Sequence, residues 1–304
     1  MIDFTLLGAA ATMPLPDRAL SSAVLKCAGR TILFDCGEGT QTAARKAHVS
    51  LMKTDLIALT HYHGDHIFGL PGLLQSMNCL GRTDTLHICG PEGIEAELAP
   101  ILRLAGDLQY KVKLMSGELH LPALNLAWPE GAVLSPFPTE HRVSSCGYVF
   151  SLPRPPRFLP EKASELGIPQ KLWGRLQKGE TVTFEGTSVA PDAVTGEARK
   201  GLRIVFSGDT APCEGLLNAS RNADLLVCDA TYGEDEQACL AALYGHSTFR
   251  QAASLAAEAE VKRLWLTHFS QMLADPADYL LNAQHLFPAA ECGYDGKTAK
   301  LTFE

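Results

Sequence analysis

The chain has 304 residues, 46% of them hydrophobic and 20% charged, with 34 acids against 26 Lys and Arg and a net charge of −8. That is the composition of a globular protein with one large core or two small ones, and its acidity speaks against broad electrostatic binding of nucleic acid, DNA included. No apolar run approaches the roughly 18 residues of a membrane span, and the start Met1-Ile2-Asp3-Phe4 carries an acid where a secretory signal would be basic.

In chain order, short apolar runs predict strands at Ile2–Leu7, Ala23–Cys27, Thr31–Phe34, Leu56–Thr60 and Leu86–Cys89, with helical spacing over Gly39–His48, Leu70–Cys79 and Ile94–Leu104. Residues 151–201 break this rhythm, with prolines at 153, 155, 156, 160, 169 and 191. Between Ser151 and Glu180 lie Arg154, Arg157, Lys162, Lys171, Arg175 and Lys178 against Glu161, Glu165 and Glu180. So long an excursion, with one short amphipathic stretch at Lys162–Leu166, reads as a weakly structured insertion, either functional or mobile or a plain surface excursion. Strands return at Arg203–Phe206, Leu225–Cys228 and Leu264–Thr267, and helical patterns at Ser247–Glu260 and Pro276–Leu286. Strands gathered in the first half with helices between them predict an α/β protein of the α+β type, with mixed sheets flanked by helices. The nine cysteines are dispersed without a CxxC pair, which predicts reduced thiols and a cytoplasmic location.

The stretch His61-Tyr62-His63-Gly64-Asp65-His66 follows a predicted buried strand, where α/β folds place their chemistry. Imidazole and carboxylate are the ligands that Zn²⁺, Mn²⁺ and Fe²⁺ accept, and a cluster this dense is costly without a cation. Other polar residues end apolar runs in the same way: His141, Asp209 in Ser207-Gly208-Asp209-Thr210, and His268 after Thr267. His246 opens the Ser247–Glu260 helix, with Ser247 or Thr248 as its cap. Read together, five histidines and two aspartates suit two metals with one bridging carboxylate. Such a pair activates water and clamps both oxygens of an in-line displacement, which suits phosphodiester hydrolysis.

These strings resemble the metallo-β-lactamase superfamily. Asp35-Cys36-Gly37-Glu38-Gly39-Thr40-Gln41, Gly69-Leu70-Pro71-Gly72-Leu73-Leu74 and Gly245-His246-Ser247-Thr248 are more specifically similar to ribonuclease Z, the tRNA 3′-processing endonucleases. The resemblance runs from Leu6 to about Gln271. It implies a four-layer αββα sandwich over residues 1–304, a single domain with a substrate-binding arm at about 151–201. It further implies two Zn²⁺ per subunit, with Mn²⁺ or Fe²⁺ as alternatives. His61, His63 and His141 would hold one metal, Asp65, His66 and His268 the other, and Asp209 would bridge them.

Asp35 would orient a ligand histidine. Asp65, His246 and Asp229 would form the catalytic set, His246 as general acid tuned by Asp229. Arg18, Arg154, Arg157, Lys171, Arg175 and Lys178 would bind precursor tRNA, and the protein would be a homodimer. The chain departs from the family pattern at Cys228-Asp229-Ala230-Thr231, usually His-Glu-Ala-Thr, and at Phe269-Ser270-Gln271-Met272-Leu273, usually Phe-Ser-x-Arg-Tyr. It also lacks the Gly-Pro turn after Ile168-Pro169 and the asparagine after Arg18. Those departures keep in play a related phosphodiesterase acting on a small cyclic or short nucleotide.

Overall fold

In the computed structural model, residues 1–124 and 127–304 are described, and the chain forms two compact units. The first comprises residues 1–152, 202–302 and 304, and the second residues 153–201 and 303.

Two seven-stranded sheets organise the first unit. One runs Thr298–Leu301, Ile2–Gly8, Ser22–Cys27, Arg30–Phe34, Leu56–Ala58, Leu86–Cys89, Val112–Met115. It is antiparallel as far as Arg30–Phe34 and parallel beyond. The other runs Ala290–Cys292, Leu264–Thr267, Leu225–Asp229, Arg199–Phe206, Cys146–Arg154, Val133–Pro138, Leu119–His120, with its first four strands parallel.

Side-chain alternation explains the layering. Along Arg30–Phe34, Leu33 joins the helix-facing core with Leu73, Leu74 and Leu98. Phe34 points the other way, with its ring 5.3 Å from that of Phe206 and 6.2 Å from Tyr148 on the second sheet. A strand apolar on both faces belongs inside a sheet covered on both sides. Helices Leu70–Cys79 and Ile94–Ala105 cover the first sheet, and Phe249–Glu258 packs Ala252, Ala253 and Ala256 against the second. The result is the αββα sandwich. Leu70, Leu73 and Leu98 are 0% exposed, so truncating any of them to Ala would cost about 2–5 kcal/mol.

Two strands carry no clear sequence signal. Val133–Pro138 contains Pro136 and Pro138, which normally argue against a strand. Its outer neighbour Leu119–His120 pairs only with Leu134 and Val133. Both prolines therefore lie where that side of the strand is an open edge and no ladder N–H is required. The helix predicted at Pro276–Leu286 is a 3₁₀ turn, Pro276–Tyr279, followed by a short α-helix, Leu280–Gln284. Among the described residues no helix is long and apolar enough to cross a membrane. All nine cysteines are free.

The second unit corrects the expectation of a weakly structured insertion. Helices Pro160–Glu165 and Gln170–Gln177 and a hairpin, Val182–Phe184 with Thr187–Val189, enclose their own core of Ala163, Ile168, Leu176, Val182 and Val194. Glu185 and Gly186 both have positive φ, 47° and 78°, as a two-residue hairpin turn of this hand requires. Trp173 packs at a tilt against Phe158, ring centres 5.5 Å apart, and its indole N–H donates to the Ile168 carbonyl at 2.9 Å. Prolines here bound elements instead of preventing them: Pro160 and Pro169 stand at the two helix starts.

Candidate active site

Strand ends deliver the site. His61 and His63 follow Leu56–Ala58, Asp209 follows Arg199–Phe206, His268 follows Leu264–Thr267 and His141 follows Val133–Pro138. Asp65 and His66 lie on the single-turn helix Gly64–Ile67. Two of the turns are strained: Asp35 and His268 have φ of 51° and 61°, a left-handed backbone that costs about 1–3 kcal/mol for such residues. Gly208 has φ of 60°, and a Cβ there would fall 2.6 Å from Thr60 Cβ, so this turn accepts glycine alone.

The donor atoms converge on two centres. Around the first, His61 Nε2 lies 3.0 Å from His63 Nδ1, and His141 Nε2 lies 3.3 Å from the same atom. Asp209 Oδ2 is 3.7 Å from His61 Nε2 and 4.0 Å from His141 Nε2. Around the second, Asp209 Oδ1 lies 3.3 Å from His66 Nε2 and 3.2 Å from His268 Nε2. Asp65 Oδ2 is 3.7 Å and 3.5 Å from the same two nitrogens. The two oxygens of Asp209 thus face different histidine sets.

These spacings fit divalent cations. Donors held tetrahedrally at about 2.0–2.1 Å from an ion stand about 3.3 Å from one another. His66 Nε2, His268 Nε2 and Asp209 Oδ1 are buried without a hydrogen-bond partner. Three orphaned atoms at one point are costly unless an ion meets them.

The opposite ring nitrogens are fixed from behind. His66 Nδ1 donates to Asp35 Oδ2 at 2.8 Å. His61 Nδ1 meets Thr60 Oγ1 at 3.1 Å, and that hydroxyl donates to Asp35. His268 Nδ1 meets Thr231 Oγ1 at 3.0 Å, which donates to Asp229 Oδ1 at 2.9 Å. His141 Nδ1 donates to the Gly245 carbonyl at 2.9 Å. Each bond sets the tautomer that leaves the facing nitrogen bare for a metal. Sequence reasoning assigns no role to Thr60 or Thr231. Their signal is position: one stands between a strand end and the first ligand, the other two residues beyond Asp229.

His246 belongs to a separate device. Helix Phe249–Glu258 is capped by Thr248 in a reciprocal box with Gln251, which holds Gly245-His246-Ser247 against the site. His246 Nδ1 donates to Asp229 Oδ2 at 2.7 Å, and its ring stacks 5.3 Å from that of His268. Burial favours the neutral ring, but the Asp229 carboxylate outweighs it and the pKa is pushed up to about 9. Asp229 and His246 lie within 4.8 Å of Asp209 and His268. They are poor metal ligands nonetheless, because Asp229 already accepts from Thr210 N, Thr231 N, Thr231 Oγ1, Ser247 N and His246. The shortened carboxylate at 229 reaches its histidine.

The expected substrate-binding residues divide. Arg18 is 8% exposed, its guanidinium donates to the Leu273 carbonyl at 3.5 Å and lies 5.7 Å from the centre of the Phe269 ring. In these contacts it braces the chain after His268. In the second unit, Arg157, Lys171, Arg175 and Lys178 are exposed, with Arg175 paired to Glu180 at 2.8 Å. Arg154 is half-buried, 5.4 Å from the centre of the Phe303 ring.

Comparison with known proteins places the molecule. A family model for the anti-Pycsar protein Apyc1 matches residues 2–116, and one for the beta-lactamase superfamily domain matches residues 180–269. Ribonuclease Z of Agathobacter rectalis is 40% identical, covering 100% of this chain and 99% of its own. Ribonuclease Z of Lachnospira eligens is 38% identical with the same coverage. The crystal structure of human tRNase Z, short form, aligns with a TM-score of 0.67 at 27% identity, covering 99% of this chain and 100% of that one. The chain belongs to the ribonuclease Z family and is a metal-dependent endoribonuclease of the metallo-β-lactamase fold, a phosphodiester hydrolase.

Proposed function

We propose that the chain cleaves the 3′ trailer from precursor tRNA with two Zn²⁺. His61, His63 and His141 would hold one ion and Asp65, His66 and His268 the other, with one oxygen of Asp209 turned to each. The observation that carries this reading is the Asp229–His246 pair beside a donor set split by Asp209. When bound, two such cations make water a nucleophile at neutral pH and neutralise charge growing on the phosphate.

The chain's own groups do the rest. The Thr12 N–H anchors Asp65 Oδ2 at 2.8 Å, fixing the carboxylate that would accept the proton of the attacking water. His246 Nε2 gives its proton to the departing 3′-oxygen of the tRNA, and Asp229 stabilises the ring through Nδ1. The product pair is a tRNA 3′-hydroxyl and a trailer with a 5′-phosphate. Arg157, Lys171, Arg175 and Lys178 give the second unit the exposed positive charge that a phosphate backbone attracts, unlike the acidic chain as a whole.

The test is incubation of the purified protein with a 3′-extended precursor tRNA and mapping of the cut. Cleavage at the end of the acceptor stem with those end groups is expected; an intact precursor beside rapid hydrolysis of cyclic nucleotides would replace the reading with the small-substrate alternative. Deleting Arg154–Lys178 should abolish cleavage of the precursor and spare bis(p-nitrophenyl) phosphate.

A further inference from the structure

A cavity of about 930 Å³ opens in the first unit, lined by residues none of which belongs to the histidine site. It lies at the amino ends of four parallel strands: Arg30 begins Arg30–Phe34, and Asp55, Thr85 and Lys111 immediately precede Leu56–Ala58, Leu86–Cys89 and Val112–Met115. The catalytic histidines leave Leu56–Ala58 from its other end. Asp55 and His61 thus lie beyond opposite ends of this strand, and the two sites share no residue.

The walls are cationic on an acidic protein. Arg30, Lys53, Arg82, Lys111 and Lys113 face the space against Asp55 and Asp84, in a chain of net charge −8. Asp55 is already engaged: Oδ1 pairs with Arg30 at 3.2 Å and Oδ2 accepts the Thr31 N–H at 2.8 Å. Arg82 is pinned by the carbonyls of Met52, Asp84 and Thr85 at 3.3, 2.9 and 3.1 Å and lies 5.4 Å from the centre of the Tyr110 ring. It is a fixed positive wall. Lys53, Lys111 and Lys113 are exposed, and among the described residues none has a carboxylate in ion-pair contact. Gathered like charges repel unless an anion sits among them.

Two further features shape the occupant. His87 lines the cavity at 6% exposed, and its buried Nδ1 has no hydrogen-bond partner. Beside the cations stand Met52, half-buried, and Leu80, 67% exposed, an apolar surface suited to a planar ring. The volume is that of a small-molecule site.

We propose that this cavity binds a small phosphate-bearing ligand of the nucleoside polyphosphate class, its phosphates among Lys53, Lys111 and Lys113 and its ring against Leu80 and Met52. The probe is ATP, titrated calorimetrically into the metal-loaded protein, with turnover of bis(p-nitrophenyl) phosphate followed in parallel. The wild-type protein should bind ATP. The Lys53→Glu, Lys111→Glu, Lys113→Glu triple variant should lose about tenfold or more in affinity, the worth of a few charged contacts, with turnover essentially unchanged. Lys111→Gln and Lys113→Gln singly, surface changes that do not threaten the fold, should each weaken binding severalfold and keep the test open if the triple variant misfolds. No binding of ATP at millimolar concentration would overturn the proposal. So would equal affinity across the variants, inhibition of turnover matching the binding curve, or binding of a single-stranded oligonucleotide where ATP does not bind.

Discussion

Asp35 and Asp229 stand at equivalent places in the two sheets, one just beyond Arg30–Phe34 and the other closing Leu225–Asp229, and both are 0% exposed. Each takes a threonine hydroxyl that in turn meets the Nδ1 of a site histidine, Thr60 with His61 and Thr231 with His268. Each also takes one histidine directly. Here the hubs part. The direct partner of Asp35 is His66, whose Nε2 faces Asp209 at 3.3 Å. The direct partner of Asp229 is His246, which lies outside both donor centres. On the proposed reading, one hub would serve metal ligation alone, and the other would divide between a ligand and a proton donor. The same physical device, a buried carboxylate filled with donors, orients a metal ligand or arms an acid according to what the far nitrogen meets.

The largest expected effect tests the acid side of that division. His246→Ala should lower turnover by about 10²–10⁴ on RNA, whose leaving alkoxide needs a proton. Turnover with a nitrophenolate leaving group should fall much less, and metal content by elemental analysis should stay that of the wild type. A variant that lost metal along with activity would erase the distinction between the hubs.

Next in size is the ligand side. Asp35→Asn leaves His66 without its carboxylate and disturbs Thr60, and should weaken metal affinity by about 10–100-fold, the usual scale for such partners. Competition with a chelator measures it. Asp229→Asn should retain metal better than Asp35→Asn while losing more activity on RNA than on nitrophenyl esters; the reverse ranking would break the comparison.

Part of this asymmetry is legible in sequence and part is not. The His61–His66 cluster is local, and His141, Asp209 and His268 each stand where an apolar run stops, so chain order alone gathers the donor set. Asp229 and His246 carry their roles through the resemblance. The hydroxyl relays are invisible because Thr60 and Thr231 earn their function only from atoms 25 residues away or on a neighbouring strand. Arg18 carries its expected role through the resemblance, and its burial is invisible in sequence because the fold brings Phe269 and Leu273 against it. The second unit misleads through its prolines, since five small or medium side chains, four on separate short elements and Ile168 on a connection, build a core with no periodic signature.

Breaking the relays gives a smaller, symmetrical effect. Thr60→Val and Thr231→Val each leave a buried imidazole N–H without an acceptor, at about 1–3 kcal/mol of stability. Urea unfolding should show similar losses for both, because this part of the hubs is alike. A much larger loss at one threonine would mean that the hydroxyls do unequal structural jobs.

Asp295, a third shielded carboxylate, shows what either hub would be with too few donors. Its Oδ2 accepts the Ala19 N–H at 2.7 Å, while Oδ1 is buried without a partner. Burial dominates, the nearby N–H groups and the cations Lys46 and Arg18 offset it only in part, and the carboxyl is pushed up to about 6. The unfolded value is about 3.9, so between roughly pH 4 and 6 the folded state binds more proton than the unfolded one. Stability from this group falls as pH rises through that window, and the penalty is complete above it. Asp295→Asn keeps an oxygen for Ala19 and removes the charge. Relative to wild type, the variant should gain stability between pH 4 and 6.5 and hold that gain at higher pH, by a modest amount because the group is partly solvated. A difference that stays flat with pH would show that the carboxylate is paired as well as those of Asp35 and Asp229, and would remove it as their counterexample.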